Sequence, residues 1–338
     1  MKTRLLPLLL FLLCTCALAA QEKEPVPEGW RVGAGIGLDI TQLLQINPKQ
    51  GAGQNRLGFG SAINSFAKFR RGRLDWDNTL LWQFGLQRLG AGIVSQGLTS
   101  KIPFQKTVDE LRLGSKYGYR IKEDGKLFYS VNATFLSQFF PTYQFPDIYS
   151  GNFISDFADT GRSPLSKFLA PATATLSVGI DYQPNENVSI FFSPVSSKFI
   201  IVANDSIASR GVHGNPVSGE ANELGIYPEF DNIDPQIGAL AQLGYANSFL
   251  EDDRITFTSK LGLYSNYLRN PQNVDVDWQN SFTYALTEHL QFTLFANLFY
   301  DDDIRVRITD YSAPNGTAGL GKRVSFTEQI LITYARTF

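Results

Sequence analysis

Cysteine is nearly absent from this chain. Of 338 residues only Cys14 and Cys16 carry a thiol, and both fall in the first twenty, so the rest can build neither a disulfide framework nor a thiolate metal site. Histidine is as scarce. His213 and His289 are the only two, which removes the usual basis for an imidazole metal centre and weakens any Ser-His hydrolase. After the N-terminal segment no apolar run approaches the roughly 18 residues that a membrane-spanning helix needs. A basic excess is missing too: the formal charge is −2, so there is no electrostatic footprint for nucleic acid.

The N-terminus reads as a targeting segment. Lys2 and Arg4 precede the apolar run Leu5 to Leu13 and the small residues Ala17, Ala19 and Ala20, the pattern of a secretory signal peptide over residues 1–20. Its removal takes away two positive charges and leaves −4. Leu13 and Thr15 stand before the cysteines where a lipoprotein site prefers Gly or Ala, so lipid anchoring is the minor alternative. Residues 21–338 then form one domain.

What the chain does have is aromatics, at 13%, 29 glycines and a persistent period of two. Between Arg73 and Arg88, Leu74, Trp76, Asn78, Leu80, Trp82, Phe84 and Leu86 share one face. Arg73, Asp75, Asp77, Thr79, Leu81, Gln83, Gly85 and Gln87 share the other. Such a strand places one side in an apolar medium and the other in water, and its length suits a membrane-spanning strand of about 9–11 residues with interfacial extensions. The same rhythm recurs at about residues 30–46, 57–70, 107–121, 126–140, 173–181, 188–202, 236–250, 255–269, 274–286, 289–301 and 322–338. Pro194 interrupts one of these and predicts a bulge or a break there.

Twelve strands result, an even number as a closed antiparallel barrel requires. Tight turns such as Arg71-Gly72 and Glu123-Asp124-Gly125 alternate with long loops at about 89–105, 141–171, 204–234 and 302–321. That asymmetry is the bacterial outer-membrane pattern, with both termini in the periplasm. Phe338, with Tyr334, Ile332 and Ile330, forms the kind of terminal aromatic strand that outer-membrane insertion machinery accepts, although Arg336 interrupts that face. The fold class is therefore an all-β transmembrane up-and-down barrel of about twelve strands, exported to the outer membrane of a Gram-negative cell, with outer-membrane lipids as its surroundings.

Charged residues on the polar faces are the candidate site. A Lys or Arg facing lipid would cost roughly 2–4 kcal/mol at the midplane, so Asp75, Asp77, Glu110, Arg112, Lys116, Arg120, Lys260 and Arg323 are expected to line the lumen. They either line a pore or pair across a filled interior. Trp30, Trp76, Trp82 and Trp278 are read as interface anchors or packing residues. Gly33, Gly35 and Gly37 fit no phosphate loop, because no helix follows; sharing one face, they give a smooth lumen wall. Asp301, Asp302 and Asp303 and the acidic loop Glu220 to Asp234 have the oxygens to hold Ca²⁺ or to meet lipid-bridging divalent ions, or are solvated rim residues; matching no calcium-loop spacing, they favour the rim. His213 lies near Asp205, Ser206 and Ser209 in a polar loop, without a spacing that signals catalysis. No catalytic, cofactor-binding or metal-ligating residue is expected.

Four phrases also carry a resemblance: LDWDNTLLWQFGLQR at Leu74 to Arg88, DELRLGSKYGYRI at Asp109 to Ile121, NATFLSQF at Asn132 to Phe139, and NVSIFFSPVSSKFIIV at Asn187 to Val202. They resemble an uncharacterised family of outer-membrane β-barrel proteins from Bacteroidota, a domain of unknown function. The resemblance implies a barrel and a compartment, and no reaction. Twelve strands lie between filled eight-stranded and open sixteen-stranded barrels, so a narrow channel for small polar solutes is the leading expectation. A closed structural or surface-binding barrel is the second class, and a membrane-embedded hydrolase the third.

Overall fold

Strands with one apolar and one polar face can satisfy both only by closing on themselves in lipid, and this chain closes. The computed structural model describes residues 28–46, 58–87, 104–123, 125–144, 152–154, 164–250, 252–310, 312 and 317–337. The expected signal peptide at residues 1–20, most of the 89–105 loop and Phe338 lie outside the described residues.

The barrel strands are β1 (Gly29–Ile46), β2 (Phe59–Arg71), β3 (Leu74–Gln87), β4 (Gln105–Arg120), β5 (Leu127–Ser137), β6 (Ala172–Asn185), β7 (Val188–Ile201), β8 (Ile233–Phe249), β9 (Ile255–Asn266), β10 (Val274–Ala285), β11 (Leu290–Tyr300) and β12 (Ser325–Thr337). Each pairs antiparallel with its neighbour in sequence, and β1 pairs with β12 to complete the ring. The result is a closed twelve-stranded up-and-down barrel. Short turns gather at the end where β1 begins and β12 ends, and the longer connections at the other, as the alternation of loop lengths implies.

Burial is inverted relative to a water-soluble protein. The buried set holds more polar than apolar side chains, while Ile36, Leu38, Tyr129, Leu176, Val178, Phe192, Val195 and many like them are exposed. Each of the seven named sits on the outward face of its strand, where lipid rather than water is the natural solvent. Aromatic clusters mark the two ends of this belt. Trp30 packs on Phe69 and Trp76, with ring centroids 5.1 and 5.6 Å apart, at the short-turn end. Trp82 lies 5.6 Å from Phe139, and Phe84 4.9 Å from Phe140, at the long-loop end. The glycine face of β1 is less empty than a smooth wall: a Cβ on Gly33 would meet the Phe66 ring, and one on Gly35 would meet the Asn64 amide.

Pro194 produces the bulge its chemistry demands. Without an N–H it cannot join a ladder, and the register of β7 slips opposite both Val178/Ile180 on β6 and Gly238/Leu240 on β8. The Ser193 hydroxyl fastens the irregularity, its single hydrogen within reach of the carbonyls of Val178 at 2.9 Å and Val195 at 2.7 Å. Gly179 and Gly238 flank it; a Cβ there would collide with the carbonyl oxygens of Phe192 and Ser265. β6 differs from expectation at its end, running to Asn185 with an irregular register after Tyr182 that accommodates Pro184.

The described parts of two long loops carry short elements of their own. Residues 202–232 contain a single-turn helix, α1 (Asp205–Ala208), and a two-residue ladder of Val217–Ser218 with Glu229–Phe230. Val306–Thr309 pairs with Thr317–Gly321 above β11 and β12. Elements this short leave no periodic signature in sequence.

Candidate lumen and its constriction

Strand parity places the mid-height charges. On β4 the odd positions Leu113, Tyr117 and Tyr119 are exposed to the outside, so Glu110, Arg112, Lys116 and Arg120 point inward. On β10 the outward residues are Val274, Trp278 and Phe282, and Asp275, Asp277 and Gln279 face the lumen.

Arg112 reaches across the barrel. Its Nη1 lies 3.0 Å from Asp277 Oδ2, and β4 and β10 are six strands apart by either route round the ring. The bridge therefore spans a diameter. Arg112 Nε also bonds Glu110 on its own strand. Asp277 is held by Asn297 Nδ2 at 2.6 Å and Gln279 Nε2 at 2.9 Å, so the carboxylate is fixed before the guanidinium reaches it. Other polar contacts cross shorter chords. Lys116 pairs with Asp181 at 2.9 Å, Gln83 with Gln329 at 2.9 Å, and Asn132 with Gln242 at 3.0 Å. The diametric pair is wet: Arg112 and Asp277 keep 18% and 31% of their side-chain surface accessible. A wetted ion pair carries a smaller desolvation cost than a dry one and can be parted at modest expense.

The other expected lumen residues divide into groups. Asp75 meets Arg70 at 3.0 Å and Arg120 at 3.9 Å, both on flanking strands rather than across the barrel. Asp77 is exposed on the same inward face, near the short-turn end. Lys260 faces inward from β9 and is accessible, with no hydrogen bond or ion pair among the described residues. Arg323 lies outside the strand expected to carry it. It stands exposed between residue 321 and Ser325, with Nη1 on the Lys322 carbonyl, because β12 begins three residues later than its alternation suggests. Asp181, Lys198, Asp275 and Asp277 were not singled out by sequence, and Asp301 was read as a rim residue rather than as the partner of Lys198. Asp275 and Asp277 could have been found by parity alone, since they alternate with Val274, Val276 and Trp278.

Above the bridge lies a chamber of about 630 Å³ lined by strand residues, by Gln138, Pro171 and Asp301 just beyond strand ends, and by His213 and Ile304 of the loops. The 202–232 segment covers it. Ile207 and Ala208 of α1 pack on Ala170, Ile200 and Val202, which anchors this cap to the barrel rim. His213 is buried, and that burial, aided by Arg210, pushes its pKa down to about 4, so its ring is neutral near pH 7. Its Nε2 has no partner among the described residues. The nearby hydroxyls do not serve it: Ser206 donates to Asn204 Oδ1, and Ser209 to the Ser206 carbonyl. His289 sits at the opposite end, its ring 5.6 Å from that of Tyr334.

The acidic run at the rim works as three separate anchors. Asp301 pairs with Lys198 at 3.1 Å, Asp302 with Lys322 at 3.0 Å, and Asp303 with Arg269 at 2.8 Å. The hydrogen bond from Lys322 holds the Asp302 carboxyl below the usual carboxylate range. Among the described residues no group of three His, Cys, Asp or Glu is placed to hold a metal ion.

No curated protein matches the chain. Among solved structures it is similar to an outer-membrane channel from Pseudomonas putida F1, at 12% identity and a TM-score of 0.40 over 95% of this chain and 100% of that one. It is also similar to the toluene transporter TodX of P. putida, at 11% identity and a TM-score of 0.32 over 93% and 91%. A third is the translocator domain of the autotransporter NalP from Neisseria meningitidis, at 8% identity and a TM-score of 0.36 over 92% and 90%. Three of the four phrases quoted above fall in a segment with a family match, whereas the Ser193-Pro194 phrase lies outside it. Residues 45–143 match the family described as Protein of unknown function (DUF3078).

Proposed function

We propose that the protein is an outer-membrane barrel, exported by its first twenty residues and inserted through its terminal strand, whose lumen passes small polar solutes. The Arg112–Asp277 bridge is its constriction. The observation that carries this reading is that the contact spanning the barrel is charged and water-accessible, with the accessible Asp77 on the lumen face nearer the short turns. A structural barrel gains more from a dry, apolar interior, since well-packed hydrophobic residues commonly equal or exceed an ion pair in stability.

Planar-bilayer recording tests this directly. Arg112→Ala and the double variant Arg112→Ala/Asp277→Ala remove the diametric contact and are expected to raise unitary conductance above wild type. If all three proteins, shown to be folded, carry no current at any voltage, the passage reading falls and the closed barrel takes its place.

A further inference from the structure

The chamber above the bridge is not uniformly polar. Leu81, Leu136, Ile200, Leu240, Phe299 and Ile304 contribute to its wall, and its volume lies within the roughly 300–1,000 Å³ of small-molecule sites. Its floor is different. Arg112 and Lys260 are both part of the lining, and Lys260 lies close enough to feel the charges of Asp277, Arg112 and Lys116.

Arg112 is neutralised by Glu110 and Asp277, and Lys116 by Asp181. Lys260 alone of these three cations has no hydrogen bond or ion pair among the described residues. Four positions along the same inward face of β9, Tyr264 is 6% exposed, and its hydroxyl has no partner there either. A buried hydroxyl left without a partner costs about 1–3 kcal/mol, and both groups line the same chamber.

From this arrangement we propose that the chamber is a binding site for small amphipathic organic anions. The acid group sits on Lys260, the apolar body lies against the Leu136, Ile200, Leu240 and Phe299 wall, and the Tyr264 hydroxyl is available to a polar group at the far end. This rests on the passage reading, of which the chamber would be the solute-selecting part. Apolar walls with a few placed polar groups are the usual composition of such sites. An unpaired ammonium facing a chamber with apolar walls favours a carboxylate over its neutral isostere by about tenfold or more.

Isothermal titration of the detergent-solubilised barrel with benzoate, its neutral isostere benzamide, and acetate tests the site. Benzoate is expected to bind saturably and about tenfold more tightly than either of the others. Lys260→Gln should reduce benzoate to the level of benzamide, and Lys260→Arg should restore the preference. Absence of saturable benzoate binding overturns the proposal, as does a folded Lys260→Gln variant with unchanged benzoate affinity. Because binding is read without current, its failure is distinct from that of the passage. Silent bilayers with intact benzoate binding remove the channel and keep the site.

Discussion

Replacing Asp109 with alanine should be among the most damaging single changes to this barrel. Asp109 lies on the outward face of β4, yet its side chain is fully buried, and Lys106 beside it is 2% exposed, with the two 3.0 Å apart. The carboxylate also accepts the backbone N–H groups of Phe139 at 3.0 Å and Phe140 at 2.6 Å, and the Trp82 indole at 3.3 Å. Its loss strands a buried ammonium and leaves three donors without their acceptor. Breaking one side of a buried pair costs about 3–5 kcal/mol. Lys106→Met should cost less, about 1–3 kcal/mol, because Asp109 keeps its three neutral donors while Gln138 Oε1 and the Phe140 carbonyl lose only a shared one. The double variant should cost less than the sum of the singles by about 0.5–3 kcal/mol. Urea titration in phospholipid vesicles, followed by tryptophan fluorescence to which Trp82 contributes, measures all three. A cost below about 1 kcal/mol for Asp109→Ala, or strictly additive singles, would refute the argument.

Two further outcomes follow from the cap and the wall. His213 is neutral in the fold with its pKa near 4, against about 6.5 when unfolded. The unfolded chain therefore binds the extra proton as pH falls through 6.5, and stability drops by up to about 3 kcal/mol by pH 4. Limited proteolysis of the 202–232 segment across that range should show the loss, and His213→Phe should flatten it; an unchanged pH profile in the variant would point to another group. Gly179→Ala places a Cβ on the Phe192 carbonyl beside the Pro194 bulge, whereas in Gly244→Ala the nearest contact is an ordinary 3.7 Å. The first should cost about 1–3 kcal/mol and the second well under about 1 kcal/mol, read as shifts of the urea midpoint, and equal shifts would sink the close-approach account.

The local rules of a β-strand determined much of this protein before any contact was known. A period of two follows from pleating, so the faces of Arg73 to Arg88, the inward direction of Glu110, Arg112, Lys116 and Lys260, and the bulge at Pro194 were all legible in sequence. The count of twelve and the separation of short turns from long loops came from the same pattern. Its reach ended at strand boundaries, as at Arg323, and at loops whose ladders are two residues long. Tertiary structure decided the partners. Asp75 and Asp77 were expected to face either water or cations across the lumen; instead Asp75 met its strand neighbours, and Arg112 found Asp277 six strands away. Parity says that a side chain points inward, but which inward groups meet depends on ring closure and the stagger of twelve strands. No single strand encodes that.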